Sequence, residues 1–485
     1  MRLAEAEPLP AALAPRKDVA KGDDPAYLQL VELAQLLRKR ALSPVEATKA
    51  MLERIARLDP GLHSYLAVTE DFALAQAKKA EAEIQSGLYR GPLHGVPIAL
   101  KDLYFTKGVP TTFGMKVYEG WAPDFDATVV TRLYEAGAVM LGKLHLHEGA
   151  FAEHHPELPA PLNPWNKAHW PGGSSSGSGV AVAAGLCYGT LGSDTGGSIR
   201  FPCNACGLTG VKTTWGRVSR HGAFPLSESL DTVGPMNRSA ADAAIMLRAI
   251  AGADENDPTT LLAAVPDYLA DFDGVYGARG LKIGVDRAYV ETGVDPEIVA
   301  ALNAALAVLE GIGAEIVAIK MPPIAAVLEG QLGFCGVESA AFHEPAFRAS
   351  PEKFGPALGA NIESGLAMNG VRYGGYQLER DKFKGRLQRT FAEVDVVVAP
   401  ILPAIGVRYD SYDKFLADIS GMLRFTAPFN MAGNPTVTLP CGFSAGGLPI
   451  GFQLIGPHLS EARLLRAAHA FQQATDWHLK HPELG

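Results

Sequence analysis

The sequence offers little to tie it to a membrane, a nucleic acid or an oxidising compartment. No uninterrupted apolar run reaches the ~20 residues that span a bilayer, and residues 1–21 mix alanine, proline and charge without the apolar core of a secretory leader. An excess of positive charge is also missing. The 43 Lys and Arg residues face 52 Asp and Glu, a net charge of −9, which argues against a nucleic-acid backbone or an anionic membrane as main partner. Cysteine is scarce and odd in number: Cys187, Cys203, Cys206, Cys335 and Cys441 in 485 residues do not suit a disulfide framework, and a reducing, cytoplasmic setting fits. Cys203 and Cys206 have C-x-x-C spacing, but a zinc ribbon needs a second such pair, so both are read as small buried apolar residues.

Three familiar signatures are incomplete. His145, His147, His154, His155 and His169 cluster in sequence, yet H-E-x-x-H is absent and no acidic ligand stands at a diagnostic spacing. They are read as hydrogen-bonded histidines near a pocket, and no metal site is expected. Residues 137–144 nearly spell a phosphate-binding P-loop, but Leu144 replaces the Ser or Thr that should follow Gly142-Lys143, and the intervening residues are strand-like. Gly173 to Gly177 reads G-x-S-x-G with Ser175 at its tip. The nucleophile elbow needs a strand just before it, and Trp170-Pro171 is loop.

What remains is the grammar of a large α/β protein. With 47% hydrophobic and 20% charged residues the chain can bury a sizeable core. Residues 1–24 read as a mobile tail and 25–485 as one domain. Ser43-Pro44-Val45-Glu46 is a capping box with proline at the first helical position, opening a helix that Asp59-Pro60-Gly61 stops after Leu58. Strands are expected at 96–100, 139–141, 186–191, 281–285, 315–319, 394–399, 436–439 and 451–455. Helices at 127–136, 240–251, 296–310, 376–391 and 461–475 alternate with them, as in a mixed or parallel sheet. Segments 258–278 and 325–375 are rich in Gly, Ala and Pro, lack a regular pattern, and are the expected carriers of substrate selectivity.

Two features of this frame call for a chemical reason. Lys101 ends the apolar strand 96–100, and lysine is almost never buried without a partner or a task. Residues 193–202, Ser-Asp-Thr-Gly-Gly-Ser-Ile-Arg-Phe-Pro, set Ser198 directly after Gly196-Gly197. Two glycines let a backbone turn sharply and approach a substrate closely, and consecutive N–H donors in such a turn form an anion site suited to a carbonyl oxygen during acyl transfer. Taken alone, this segment serves equally well as a strand-to-helix loop. A serine hydroxyl also needs a base. Lysine acts as one only when neutral, which means bringing its pKa from ~10.4 to about 7 or 8 by burial or a nearby cation.

Lys101, Ser174 in a Gly-Ser loop, and Ser198 after two glycines stand in an order that closely resembles the amidase signature family of serine hydrolases. The resemblance covers roughly residues 27–475. It runs through Gly95-Val96-Pro97 with Lys101-Asp102, Gly142-Lys143, Asn163-Pro164-Trp165, Gly172-Gly173-Ser174-Ser175-Ser176-Gly177 and residues 192–202. It continues through Gly210-Val211-Lys212, Ser229-Leu230-Asp231 with Gly234-Pro235, and residues 448–456. It implies an α/β/α sandwich around a large, twisted, mixed sheet and a Ser-Ser-Lys triad. Ser198 would be the nucleophile, Ser174 the bridging serine after a cis peptide with Gly173, and Lys101 the base. The N–H groups of Thr195, Gly196, Gly197 and Ser198 would form the oxyanion hole, with Ser175, Asp194 and Arg200 holding the loops by hydrogen bonds. Hydrolysis would pass through an acyl-enzyme, with no metal or organic cofactor.

The expected activity is hydrolysis of a small-molecule amide, carbamate or ester by a monomer or homodimer. Two alternatives stay open. One is the glutaminase-like subunit of a tRNA-dependent amidotransferase, which shares the motifs and passes ammonia to a partner chain. Against it, Met115 stands where the family often has serine, and 357–376 shows no recognisable glutamine site. The other is a non-catalytic binding protein on the same fold, which would predict a lost triad residue, and none is missing. Tyr118, Trp121, Phe151, Phe334, Met368 and Phe429 are candidates for the pocket lining. The 325–375 segment is read as a roomy apolar funnel suited to anilides, arylamides or carbamates.

Overall fold

Strands from residue 65 to residue 455 join one mixed sheet: β1 (Tyr65–Val68), β2 (Pro97–Lys101), β3 (Val139–Leu144), β4 (Thr190–Asp194), β5 (Thr209–Lys212), β6 (Thr232–Asn237), β7 (Lys282–Val285), β8 (Glu315–Ala318), β9 (Val396–Pro400), β10 (Thr436–Phe443) and β11 (Pro449–Ile455). The computed structural model that shows this describes residues 24–484. Their order is β1-β3-β2-β4-β6-β5-β10-β11-β9-β7-β8. β2 runs parallel to β3 and β4, and β7 runs parallel to β8 and β9. The other pairs are antiparallel. Helices flank the sheet in an α/β/α sandwich. The last hairpin, β10–β11, lies mid-sheet, bonded to β5 on one side and β9 on the other, so it splices strands from both halves of the chain.

One pairing positions the site. β2 and β4 lie side by side with Ala99 opposite Thr190 and Leu100 opposite Leu191, so their carboxyl ends emerge together. Lys101 is thereby brought beside Ser193 and Asp194. The crevice beyond the carboxyl ends of parallel strands is the usual ligand-binding place of open α/β sheets. All five β2 residues are buried, consistent with a strand covered on both faces. The near-P-loop sequence is β3, whose six residues are buried too.

Local chemistry accounts for the clearest helix. Over Pro44–Leu58, Ser43 Oγ accepts from Glu46 N at 3.0 Å and Glu46 Oε2 accepts from Ser43 N at 2.9 Å, closing the capping box. Elsewhere the structure departs from expectation. The segment 325–375 is mostly helix, Ala325–Ala349, Pro356–Ala367 and the first turns of Gly370–Glu393. Its glycines are packing sites rather than breakers: a Cβ on Gly365 would collide with the Gly336 carbonyl oxygen, and one on Gly333 would enter the Tyr376 ring. β1, β5 and β6 lie outside the expected strands. β6 carries Gly234-Pro235, which reads as a turn, yet Gly234 is there because the Val211 carbonyl leaves no room for a side chain. The strand expected at 186–191 begins only at Thr190 and runs on to Asp194. Of the tail expected over 1–24, all but Asp24 lies outside the described residues. Asp24 itself caps Pro25–Tyr27 and pairs with Arg54 at 2.8 Å, so it belongs to the fold. Among the described residues no helix is long and apolar enough to cross a membrane.

The packing argument fixes the sign of a paired experiment. Ordinarily Gly→Ala inside a helix stabilises by roughly 0.5–1 kcal/mol. Gly359→Ala, whose added methyl meets nothing nearer than Phe347 at 3.6 Å, should follow that rule. Gly365→Ala should instead lose about 1–3 kcal/mol through overpacking. Urea midpoints at unchanged m-value test both, and equal signs would contradict the helix-contact reading.

Candidate active site

Lys101 ends β2 with no solvent exposure, and its Nζ lies 2.9 Å from Ser174 Oγ and 2.8 Å from Ser193 Oγ. Burial pushes the ammonium down to about 7, against the opposing pull of the Asp231 and Asp194 carboxylates. A lysine so placed has its amine within hydrogen-bond reach of two serine hydroxyls. Ser174 follows a cis peptide bond from Gly173 and is itself buried. Gly173 has to be glycine, because a Cβ would occupy the His147 ring.

Ser198 sits in the turn between β4 and helix Arg200–Cys206 and is the one residue of 191–200 that is only partly buried. Ser175 N donates to Ser198 O at 3.3 Å and Ser175 Oγ to Ser193 O at 3.3 Å, which joins the Gly-Ser loop to the turn. Gly197 has φ of 148° with the Phe201 ring where a Cβ would lie. Among the described residues, the N–H groups of Gly196, Gly197 and Ser198 have no protein acceptor. Thr426 Oγ1 donates to Gly196 O at 2.5 Å, which turns the N–H of that same peptide to the opposite side. Three adjacent unspent donors beside a serine hydroxyl suit a developing oxyanion.

The turn is clamped from below. Asp194 accepts from Arg200 Nε at 3.0 Å and Nη2 at 2.8 Å, from Ile199 N at 3.1 Å and from Asn430 Nδ2 at 2.8 Å. Burial would raise its carboxyl, but the Arg200 charge and hydrogen bonds outweigh it and hold the group at about 2. Arg200 also donates to Thr426 O at 2.8 Å. Asp231 accepts from Thr195 Oγ1, from Leu226 N at 2.9 Å and from Ser227 N at 3.1 Å, and burial lifts it to about 6.

Ser198, Thr195 and Gly196 open onto a cavity walled by Phe151, Trp170, Phe201, Leu226, Leu332, Leu416 and Met422. Its polar walls are His147, Gln331, Cys335 and Tyr412, and among the described residues no Asp, Glu, Lys or Arg lines it. Of the six side chains expected here, Phe151 alone lines this cavity. Tyr118 and Trp121 pack instead with Phe113, and Tyr118 also with Phe224. Phe334 and Phe429 are fully buried in the core, and Met368 packs against it. The segment 325–375 contributes Gln331, Leu332 and Cys335, while 258–278 contributes nothing to this cavity. The wall formed by helices Tyr412–Ala417 and Ile419–Leu423 was not anticipated.

Ser193, Thr426 and Asn430 also escaped the sequence reading. Ser193 carried a usable signal, being the residue before Asp194 at the end of a strand parallel to β2. The other two lie more than 200 residues from the turn they hold. The His145 and His147 rings stand 4.9 and 4.5 Å from His154, and burial holds the first two near 4 and 3, so they are neutral. Among the described residues no group of three or more His, Cys, Asp or Glu side chains is arranged to hold a metal ion. Cys203 and Cys206 are buried and unbridged.

Comparison with known proteins extends this geometry to the whole chain. The family model described as Amidase matches residues 46–465. A Mycobacterium tuberculosis protein named "Putative amidase AmiD" is 43% identical over 478 residues, covering 97% of this chain and 98% of the relative. A glutamyl-tRNA(Gln) amidotransferase subunit of Methylococcus capsulatus is 41% identical over 484 residues, covering 93% and 98%. Among solved structures, native peptide amidase from Stenotrophomonas maltophilia superposes with a TM-score of 0.79 at 31% identity, covering 92% and 96%. Matches of this length and identity make the chain a member of the amidase signature family, a hydrolase of carbon–nitrogen bonds in linear amides.

Proposed function

We propose that the protein hydrolyses apolar small-molecule amides through an acyl-enzyme on Ser198, with Ser174 carrying the proton to and from Lys101. The observation that carries this reading is the buried Lys101 Nζ at 2.9 Å from Ser174 Oγ, beside a turn whose serine opens onto an apolar cavity. In the reactive state Lys101 is neutral and Ser174 donates to it. As Ser198 Oγ bonds to the carbonyl carbon, its proton passes to Ser174 and Ser174's own to Lys101. The N–H groups of residues 195–198 stabilise the oxyanion. Collapse breaks the C–N bond, and the proton returns through Ser174 to the leaving amine. Water then attacks the acyl ester by the same route, freeing the acid and restoring the Ser198 hydroxyl. Carbamates fit the same steps.

A second reading is supported by the amidotransferase relatives, 41% identical in the Methylococcus capsulatus protein. In it the chain releases ammonia from glutamine for a partner. The cavity lining weighs against it. Glutamine brings an α-ammonium and an α-carboxylate, and burying either without a charged partner is costly, whereas no ionisable carboxylate, lysine or arginine lines the wall.

Three outcomes test this function. A fluorophosphonate should add one adduct to the wild type and none to Ser198→Ala, read by intact mass, and Ser198→Ala should lose at least about 10⁴-fold in kcat. A labelled Ser198→Ala protein would move the nucleophile elsewhere. The pH profile of kcat/KM should rise through about 7, because Lys101 acts only after losing its proton. Asp231→Asn removes a negative charge that favours the ammonium, so that limb should shift to lower pH; a shift upward would contradict Lys101 as the titrating base. In a substrate panel, kcat/KM for an anilide should exceed that for glutamine or acetamide. The reverse order, or partner chains that copurify and raise glutamine turnover, would favour the amidotransferase reading.

A further inference from the structure

Two side chains on the cavity wall hold buried polar atoms that nothing in the protein satisfies: the Gln331 Oε1 acceptor and the Trp170 Nε1 donor. Their neighbours are accounted for. Tyr412 Oη donates to Ala152 O at 3.0 Å, Thr195 Oγ1 donates to Asp231, and Gln331 Nε2 donates to Cys335 Sγ at 3.3 Å. In this arrangement the carboxamide nitrogen sits on the Cys335 sulfur and the oxygen is left without a donor.

Gln331 is only 4% exposed, so bulk water does not satisfy that oxygen. An unpaired buried acceptor is destabilising and calls for a reason; on a cavity wall a bound ligand can supply the missing donor. Its position says which part of a ligand. Gln331 Nε2 lies 2.8 Å from the point where a Cβ on Gly196 would stand, so the carboxamide covers the turn that presents Ser198. A substrate held at that turn for attack by Ser198 would bring its scissile amide, rather than its distal end, beside this carboxamide.

We infer that Gln331 is a specificity-determining residue whose Oε1 accepts a hydrogen bond from the N–H of the scissile amide, so that the site selects primary and secondary amides over esters of the same acid. This rests on the amide-hydrolase reading above and narrows its substrate class. An ester oxygen has no hydrogen to offer, so with an ester bound Gln331 Oε1 stays unpaired, and a site built around a donor rejects the analogue that lacks it. Trp170 Nε1 is itself a donor and cannot take this role. No proton or electron moves through Gln331, whose part is to recognise and orient.

The test compares the p-nitroanilide and p-nitrophenyl ester of one apolar carboxylic acid, in the wild type and in Gln331→Met, a near-isosteric change that removes the acceptor. Each kcat/KM is divided by the fraction of protein that takes up a fluorophosphonate, so unfolded enzyme drops out. Gln331→Leu serves as a second apolar variant, and Gln331→Asn keeps an acceptor oxygen without adding charge. The anilide-to-ester ratio should fall about tenfold in the Met and Leu variants, the loss expected for one neutral hydrogen bond and its orphaned partner, and fall less in Gln331→Asn. A labelling rate that drops in step with kcat/KM for both substrates, at an unchanged ratio, would mean a defect at the turn and overturn the assignment. A ratio within twofold of wild type in both apolar variants overturns the assignment to Gln331 while leaving the hydrolase reading intact. A wild type that neither labels nor cleaves the anilide overturns the hydrolase reading itself.

Discussion

The buried ion pair between Asp194 and Arg200 is the constraint on which the active site rests. Both side chains are fully removed from solvent at 2.8 Å separation. Asp194 stands before the turn and Arg200 after it, and the Asp194 carboxylate also takes the Ile199 and Arg200 backbone N–H groups at the start of the following helix. One carboxylate therefore closes the loop that holds Ser198. Taking two charges out of water is expensive and is offset only where the remaining donors and acceptors are satisfied. Here they are, through Thr426, Asn430 and Gln453, which belong to two other parts of the chain. The turn is thus fixed relative to the sheet before any substrate arrives. Backbone N–H groups held in this way would need no reorganisation during reaction, which is what the proposed oxyanion role asks of them.

Three buried lysines show why a lowered pKa does not by itself identify a base. Lys143 is fully buried, but its Nζ is held by Asp102 at 3.3 Å, Tyr104 O at 2.6 Å and Thr111 Oγ1 at 2.8 Å, the environment of a structural cation. Lys212 is pushed down to about 7, as Lys101 is, by burial and by Arg200, yet its Nζ donates to Thr213 O at 3.0 Å and meets no serine. Lys101 alone combines the lowered pKa with two serine hydroxyls in reach. For the proposed base, geometry makes the distinction, and the lowered pKa is what the proposed role requires near neutral pH.

What could be read from sequence follows the range of the interactions involved. The helix Pro44–Leu58 was legible to the residue because its cap is written within four positions. Lys101 stood out because it ended an apolar strand, and Ser174 and Ser198 because glycine-rich turns announce themselves. The helices over 325–375 were not legible, since Gly333 and Gly365 look like breakers until the surfaces they press against are known. The cavity wall was least legible of all. Aromatic character does not give direction: on helix Ala325–Ala349, Phe334 turns toward Tyr373 and Arg380 in the core, while Gln331 and Cys335 turn to the cavity. The expected list favoured large apolar residues and so passed over Gln331, the amide side chain on that wall.

Under the proposed mechanism, the lack of charge on the cavity wall among the described residues would serve catalysis and selectivity together. Desolvation is the largest influence on Lys101, and a carboxylate on the wall would pull its pKa back up and leave it protonated at neutral pH. The same logic applies to whatever enters. A substrate carrying a carboxylate near Ser198 would favour the lysine ammonium and silence the base, and one carrying an ammonium would be bound with no partner for its charge. A neutral amide disturbs neither condition. On the proposed mechanism the apolar wall would therefore keep the base active by the same physical property that restricts which molecules reach it.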